Sequence, residues 1–434
     1  MDAKQLAGEV VAKLRGAGHQ AWLVGGCVRD LLLGRPPKDY DVSTDARPDR
    51  ILDLFPNAAQ VGVQFGVVLV RADFVQVEVA TFRSDHDYSD GRRPDRVRFE
   101  TDPRQDVQRR DFTINGLLLD PFTGEVLDFV GGRRDLEART VRAIGDPEMR
   151  FREDHLRLLR AVRFAARLGF TIEAATLEAI GRLHALIRSV SAERVRDELI
   201  RILTEGGARY GFELLERTGL LGDLLPEVAA MRGVAQPPQF HPEGDVWVHT
   251  LLLLEQLRNP TPTLALAALL HDVGKPPTFR VTDRIRFDGH VEEGVKLASA
   301  ILQRLRFSRD QIERVEALVA SHMRFADAHR MKPSTLKRFL RLPHFDEHLE
   351  LHRLDCLAAH GRLETYDFVR RKLLETPPEQ LKPVPLIGGR DLIEAGYVPG
   401  PLFSRILEAV EDAQLEGRVN TRDDALALVR EQFG

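Results

Sequence analysis

Asp39 and Asp41 stand one residue apart in "KDYDVST", and a glycine pair, Gly25-Gly26, lies a short distance upstream in "WLVGGCVRD". In an extended segment, residues i and i+2 point to one side. Two carboxylates held that close repel each other unless a cation sits between them. A third acid, Glu78 in "VQVEVATF", follows the same alternation of apolar and polar positions. Three convergent carboxylates on adjacent strands are what two Mg²⁺ ions need to clamp the attacking and leaving oxygens of phosphoryl transfer. The glycine pair adds a turn whose backbone N–H groups a triphosphate can approach closely. A D-x-D pair alone more often marks a surface turn; the glycines upstream shift the reading toward a cation site.

A different acid–histidine pattern runs through the second half. His249 sits in the apolar run "VWVHTLLLL", and His271-Asp272 closes another, "ALAALLHDVGK", just before a turn carrying Lys275. His290, His322 and Asp355 follow. A lone histidine on an apolar face is normally a satisfied core residue, but this many in order read as a metal site. The order is similar to that of the HD superfamily of metal-dependent phosphohydrolases. That resemblance implies His249, His271, Asp272 and Asp355 as ligands, with His290 and His322 where some members carry additional ones. Imidazole and carboxylate suit a divalent transition metal, and a bound water of lowered pKa would attack a phosphate ester. The alternative is a metal that only stabilises the helical body.

The elements that position these groups divide the chain. Strand signals ("AWLVGG", "DYDVST", "FGVVLVRA", "FVQVEVATF", "TGEVLDFVGG") are confined to residues 1–145. Beyond residue 150 the apolar residues recur at helical spacing almost throughout. Proline-bearing breaks at 234–244 and 375–389 mark boundaries. The expected segments are an α/β head (1–145), a helical neck (146–235), a helical metal domain (236–375) and a helical tail (376–434). The polar stretch "TFRSDHDYSDGRRPDRVRF" (81–99) reads as a mobile loop.

At 434 residues, 43% hydrophobic and 29% charged, the chain is expected to bury a sizeable core. No apolar run is long enough for a membrane helix, and no signal-peptide core is present, so cytoplasm is the default. Two distant cysteines exclude a disulfide framework and a cysteine-rich zinc site. A net charge of −4 speaks against nucleic-acid binding through global basicity. It leaves room for a local track, such as Arg157, Arg160, Arg163 and Arg167 at helical spacing, which composition alone reads equally well as a solvated face.

Five stretches carry a more specific resemblance. "VGGCVRDLLLGRPPKDYDVST", "RRDFTINGLLLD", "LDFVGGRRDLEARTVRAIG", "EDHLRLLRAVRFAARLGF" and "AERVRDEL" occur in this order. Together they resemble the polymerase-β-type nucleotidyltransferases that build the 3′ end of tRNA, in their bacterial and eukaryotic class. The resemblance implies an α+β fold: a small nucleotidyltransferase head with a mixed β-sheet, followed by an elongated all-α body containing the HD-type domain. It implies Mg²⁺ in the head, CTP or ATP as nucleotide, and the tRNA acceptor arm as partner, gripped by the helical body. Asp39, Asp41 and Glu78 become the catalytic acids. Arg110, Asp111 and Asn115 become contacts to ribose and phosphates, and Arg29 with Asp30 a brace for the phosphate turn. Arg160 and Arg163 join the nucleotide site.

The fourth stretch, "EDHLRLLRAVRFAARLGF", which the resemblance makes the base-selecting segment, has a physical reading beside this. On one helix Asp154 and Arg157 are i,i+3 neighbours, and Glu153 and Arg157 are i,i+4. Aspartate accepts hydrogen bonds and arginine donates them. Cytosine and adenine each offer an amino donor beside a ring-nitrogen acceptor, so one Asp–Arg pair satisfies either. Uracil and guanine place a carbonyl where the amino group should be, a mismatch worth on the order of 1–3 kcal/mol. Glu153 is expected to hold Arg157 in position. The resemblance also implies that the stretch at 81–99, full length rather than shortened as in members that add only cytidines, favours addition of C-C-A or of the terminal A. The competing readings are an A-adding enzyme or poly(A) polymerase, an HD hydrolase with a non-catalytic RNA-binding head, and a pure RNA-binding protein. In the tail, "GRDLIEAGYVPGP" either presents amides to an RNA phosphate or closes a hairpin.

Overall fold

The computed structural model describes residues 1–434 except 63–65, 87–90, 92–95, 240, 241 and 243. The chain forms two compact units, Met1–Ala229 with Arg304–Phe307, and Ala230–Gln303 with Ser308–Gly434.

The first unit opens with the helix Ala3–Gly16, started by a capping box in which Asp2 accepts from the Gln5 N–H and Gln5 returns a bond to the Asp2 N–H. Leu6, Val10 and Leu14 recur at helical spacing and are buried. The sheet strands are β1 (Ala21–Val24), β2 (Asp41–Thr44), β3 (Ala58–Gly62), β4 (Val67–Ala72), β5 (Val75–Thr81), β8 (Leu117–Leu119) and β9 (Val126–Asp128). Their order is β3-β4-β5-β2-β1-β8-β9. Among the described residues, β2 and β5 pair in parallel and the other neighbours are antiparallel, so the sheet is mixed, as expected.

The stretch read as a mobile loop is more ordered than expected at its arms. Strands β6 (Arg83–His86) and β7 (Arg96–Phe99) pair antiparallel, Arg83 opposite Phe99 and His86 opposite Arg96. Residues 87–90 and 92–95 of that stretch lie outside the described residues.

The unit continues as helices, among them Pro147–Glu153, Arg157–Leu168, Ala192–Thr204 and Ala208–Arg217. Arg157–Leu168 buries nine of its twelve residues, and Gly169, in the left-handed region at φ 70°, ends it.

In the second unit the helices Val246–Glu255 and Pro262–Leu270 are buried almost all round, as their uninterrupted apolar runs dictate. Around them lie His290–Arg304, Arg309–Ser321 and Phe345–Ala358. The tail has its own small core, with Leu392, Ile406, Val410, Ala425 and Val429 buried together. Among the described residues, no helix is long and apolar enough to cross a membrane.

Candidate active site

A cleft of about 440 Å³ in the first unit is lined by Gly25, Gly26, Asp41, Asp111, Asp154 and Arg157, among others. Asp41 opens β2, and the parallel register sets it opposite Glu78 on β5. Asp39 lies outside the strand that was expected to carry both aspartates; it is exposed, two residues before β2 begins. Burial, then Glu78, and less strongly Asp39 push the Asp41 carboxyl up to about 6, against the pull of Arg110. A carboxylate destabilised by burial and by like charges is one that a divalent cation relieves, so these residues fit such an ion.

Gly25 turns β1 into the helix Gly26–Leu32 at φ 78°, ψ −135°, which L side chains rarely adopt. A Cβ there would lie 3.4 Å from Arg110 Nη1 and 3.8 Å from Asp41 Oδ2. The backbone turn, a carboxylate and a guanidinium thus surround one point. Arg110 is itself anchored: its Nη2 donates to Asp106 Oδ2 at 2.9 Å, where Ser43 Oγ also donates at 3.1 Å. Arg109 Nη2 donates to the other Asp106 oxygen at 2.6 Å. Burial would raise the Asp106 carboxyl, but the two guanidiniums hold it well below the usual carboxylate range. Asp106 escaped the sequence reading; its only signal was the i,i+3 and i,i+4 spacing to Arg109 and Arg110.

Asn115 ends a short 3₁₀ turn, Thr113–Asn115. Its Nδ2 donates to Asp111 Oδ1 at 3.1 Å, and its Oδ1 accepts from Arg29 Nη1 at 2.7 Å. Arg29, 2% exposed, also donates to Asp30 at 2.8 Å. Arg160 donates to Asp111 Oδ2 from Nε at 2.9 Å and Nη2 at 2.6 Å. Burial opposes the charge on Asp111, yet Arg160 and the Asn115 amide keep its carboxyl far below the ordinary range. Arg29 thus ties the helix Gly26–Leu32, through Asn115, Asp111 and Arg160, to the helix Arg157–Leu168.

The single helix expected across Glu153–Arg157 is broken. Helix Pro147–Glu153 ends at Asp154, which is extended (φ −139°, ψ 106°), and the next helix starts at Arg157. The Asp154 carboxylate accepts the Leu156 N–H at 3.1 Å, a local bond that competes with the helical one. Asp154 is held not by Arg157 but by Arg194 Nη2, at 3.0 and 3.1 Å. Arg157 Nη1 donates to Glu153 Oε2 at 2.6 Å, and its Nη2 donates to the Arg109 carbonyl at 2.9 Å. Both side chains line the cleft from separate supports. Arg163 pairs with Glu198 at 2.6 Å and lies 4.2 Å over the Phe164 ring. Burial lowers its pKa to about 10 despite Glu198. The arginine series is thus no solvated face.

In the second unit the second acid–histidine pattern converges. His249, His271 and Asp355 form one group of candidate ligand atoms, and Asp272, His290 and His322 another, each within 4.8 Å. His249 Nε2 lies 3.0 Å from Asp355 and 4.0 Å from Asp272; His290 and His322 Nε2 lie 4.0 and 3.8 Å from Asp272 Oδ1. The Nδ1 atoms of His271, His290 and His322 face the carbonyls of Ala268, Phe287 and Val319 at 3.1, 2.9 and 2.6 Å. That bond places the proton on Nδ1 and turns the Nε2 lone pair inward. Nε2 of His290 and of His322 are buried with no hydrogen-bond partner, an arrangement that fits a metal ion. Burial holds the His322 imidazole down to about 4, so it is neutral and able to ligate at neutral pH. Lys275 Nζ bridges Asp272 at 2.7 Å and the Gln236 amide oxygen at 2.6 Å.

The chain matches three family models: the poly(A) polymerase head domain over residues 21–142, the probable RNA and SrmB-binding site of polymerase A over 169–232, and the HD domain over 246–350. It is 32% identical to a CCA-adding enzyme of Leuconostoc mesenteroides over 426 residues, spanning 98% of this chain and 95% of the relative. A CCA-adding enzyme of Enterococcus faecalis is 45% identical over 197 residues, 45% of this chain and 48% of the relative. Among solved structures, a Bacillus stearothermophilus CCA-adding enzyme in complex with CTP superposes with a TM-score of 0.77 at 27% identity, covering all of this chain and 98% of that one.

Proposed function

The chain belongs to the family of CCA-adding enzymes, and from that premise we propose how its residues divide the work of a tRNA 3′-end nucleotidyltransferase. The substrates are CTP, ATP and a tRNA ending short of C-C-A, and the full triplet is added. The 3′-hydroxyl of the RNA attacks the α-phosphorus, the O3′–P bond forms, the bond to the β-phosphate oxygen breaks, and pyrophosphate leaves. Asp39, Asp41 and Glu78 hold Mg²⁺, which when bound offsets charge on the attacking and leaving oxygens.

The protein's own groups do the positioning. Amides of the Gly25-Gly26 turn and the Arg110 guanidinium take the triphosphate. Asp111 and Asn115, locked by Arg29 and Arg160, take the ribose. Asp154 accepts from the amino group of C or A, and Arg157 donates to the neighbouring ring nitrogen. Arg194 and Glu153 hold those two readers, so protein side chains stand where a template would. One observation carries this reading: Asp41, the glycine turn, Asp111, Asp154 and Arg157 line one cleft. Incubation with Mg²⁺, labelled CTP and ATP, and a tRNA transcript lacking C-C-A tests it. One pyrophosphate is expected for each nucleotide added, three for each RNA completed, and neither product from Asp41→Ala.

The convergent ligand set, with Nε2 of His290 and of His322 buried and without a hydrogen-bond partner, supports a second reading for the other unit. A divalent transition metal would be held by His249, His271, Asp272 and Asp355, with His290 and His322 as additional ligands, and would supply a bound water of lowered pKa for hydrolysis of a phosphate ester. Release of phosphate from a phosphomonoester, or opening of a 2′,3′-cyclic nucleotide, with Mn²⁺ or Ni²⁺ tests it. Cys27 and Cys356, buried and unpaired, fit a reducing cytoplasm.

A further inference from the structure

The helices Arg157–Leu168 and Ala192–Thr204 of the first unit run side by side, and with the residues flanking them they form a ladder of opposite charges. Asp154 meets Arg194, Arg163 meets Glu198 at 2.6 Å, and Arg167 meets Glu205 at 3.6 Å. Arg201 sits between the last two rungs on the helix Ala192–Thr204 and lines the same cleft. A helical arginine normally pairs with an acid three or four residues away. All three of its candidates are already taken: Asp197 by Arg196 at 2.9 Å, Glu198 by Arg163, and Glu205 by Arg167 and by Lys38 at 3.4 Å. Among the described residues, the Arg201 guanidinium makes no hydrogen bond or ion pair, whereas Arg29, Arg109, Arg110, Arg157, Arg160, Arg163, Arg167 and Arg194 all do. Its charge, together with that of Arg160, works against protonation of buried Arg163.

An exposed cation with no carboxylate, on the rim of a cleft built for nucleotides, is matched to an anion from outside. We propose that Arg201 binds a backbone phosphate of the RNA end being extended. The other phosphates of the reaction, those of the nucleotide, have Arg110 and the glycine turn. The seven residues from Arg194 to Arg201 span about 10 Å along the helix, which sets Arg201 away from the base-reading end. The inference rests on the nucleotidyl-transfer reading and makes Arg201 a binding residue rather than a catalytic one.

The test is steady-state addition of AMP to a tRNA ending in C-C, with RNA and ATP varied separately, for the wild type, Arg201→Ala, Arg201→Glu and Arg201→Lys. Arg201 is exposed and unpaired, so its variants are expected to melt with the wild type. The KM for RNA is expected to rise about tenfold in Arg201→Ala, further in Arg201→Glu, and to recover in Arg201→Lys. The KM for ATP stays within twofold, and the slope of log affinity for RNA against log salt falls by about 0.7. A rise confined to the KM for ATP would assign the contact to the triphosphate and overturn the inference, as would wild-type constants in Arg201→Glu. If the wild type itself adds no nucleotide, the transfer reading fails first, and the two failures are separable.

Discussion

Asp41 and Glu78 are register partners on the parallel strand pair β2–β5. The transfer reading makes this pair, with Asp39, the cation-holding acids. Asp41→Ala is expected to lower nucleotide addition by about a thousandfold or more, a loss typical of removing a group that stabilises the charge of the transition state. Phosphoester hydrolysis by the second unit should be untouched. Loss of both activities in a folded variant would contradict a two-site protein.

The same pair makes a prediction about stability. Burial and Glu78 hold the Asp41 carboxyl up at about 6 in the folded chain, against about 3.9 for an unperturbed aspartate. The folded state therefore holds the proton more tightly than the unfolded one. Stability from this group is full below the unfolded value and is lost as pH rises through about 6. In chelator, Asp41→Asn should melt a few degrees above the wild type at pH 8 and near it at pH 4.5. Mg²⁺ should narrow the gap at pH 8 by stabilising the wild type. A gap that does not change with pH would refute the electrostatic origin.

Arg194 should act on base choice through Asp154. Arg194→Ala is expected to raise UMP or GMP misincorporation about tenfold relative to AMP, while the KM for the triphosphate changes little. Arg194→Lys should restore part of the selectivity. An unchanged ratio would mean that Asp154 is held by its local bond to Leu156 alone.

Much of this architecture is legible in the sequence because it is written in short-range patterns. The alternation around Asp41 and Glu78 marks their strands, and the six ligand-type residues of the second unit stand out against apolar helices. The break at Asp154 is not legible. Residues 147–168 are mostly good helix formers after the opening proline, and the interruption depends on a side-chain bond to Leu156 and an arginine forty residues away. Asp106 and Arg194 are hidden for a related reason: an acid three or four residues from an arginine looks the same whether it faces solvent or braces a site.

In the second unit, Mn²⁺ or Ni²⁺ should raise the melting temperature by mass action, since the ligand set exists only in the folded state. The gain should survive Asp39→Ala/Asp41→Ala and vanish in His322→Ala or His249→Ala. Stabilisation that persists in both histidine variants would place the metal elsewhere.

The most direct measurement of nucleotide transfer is extension of three tRNA transcripts with CTP, ATP and Mg²⁺, one ending at the discriminator base, one after a single C, and one after both. All three are expected to reach full C-C-A, with UTP and GTP excluded. Addition confined to the C-C transcript with ATP alone would contradict full-triplet addition and leave an A-adding enzyme. No addition to any of them would contradict nucleotide transfer by this cleft.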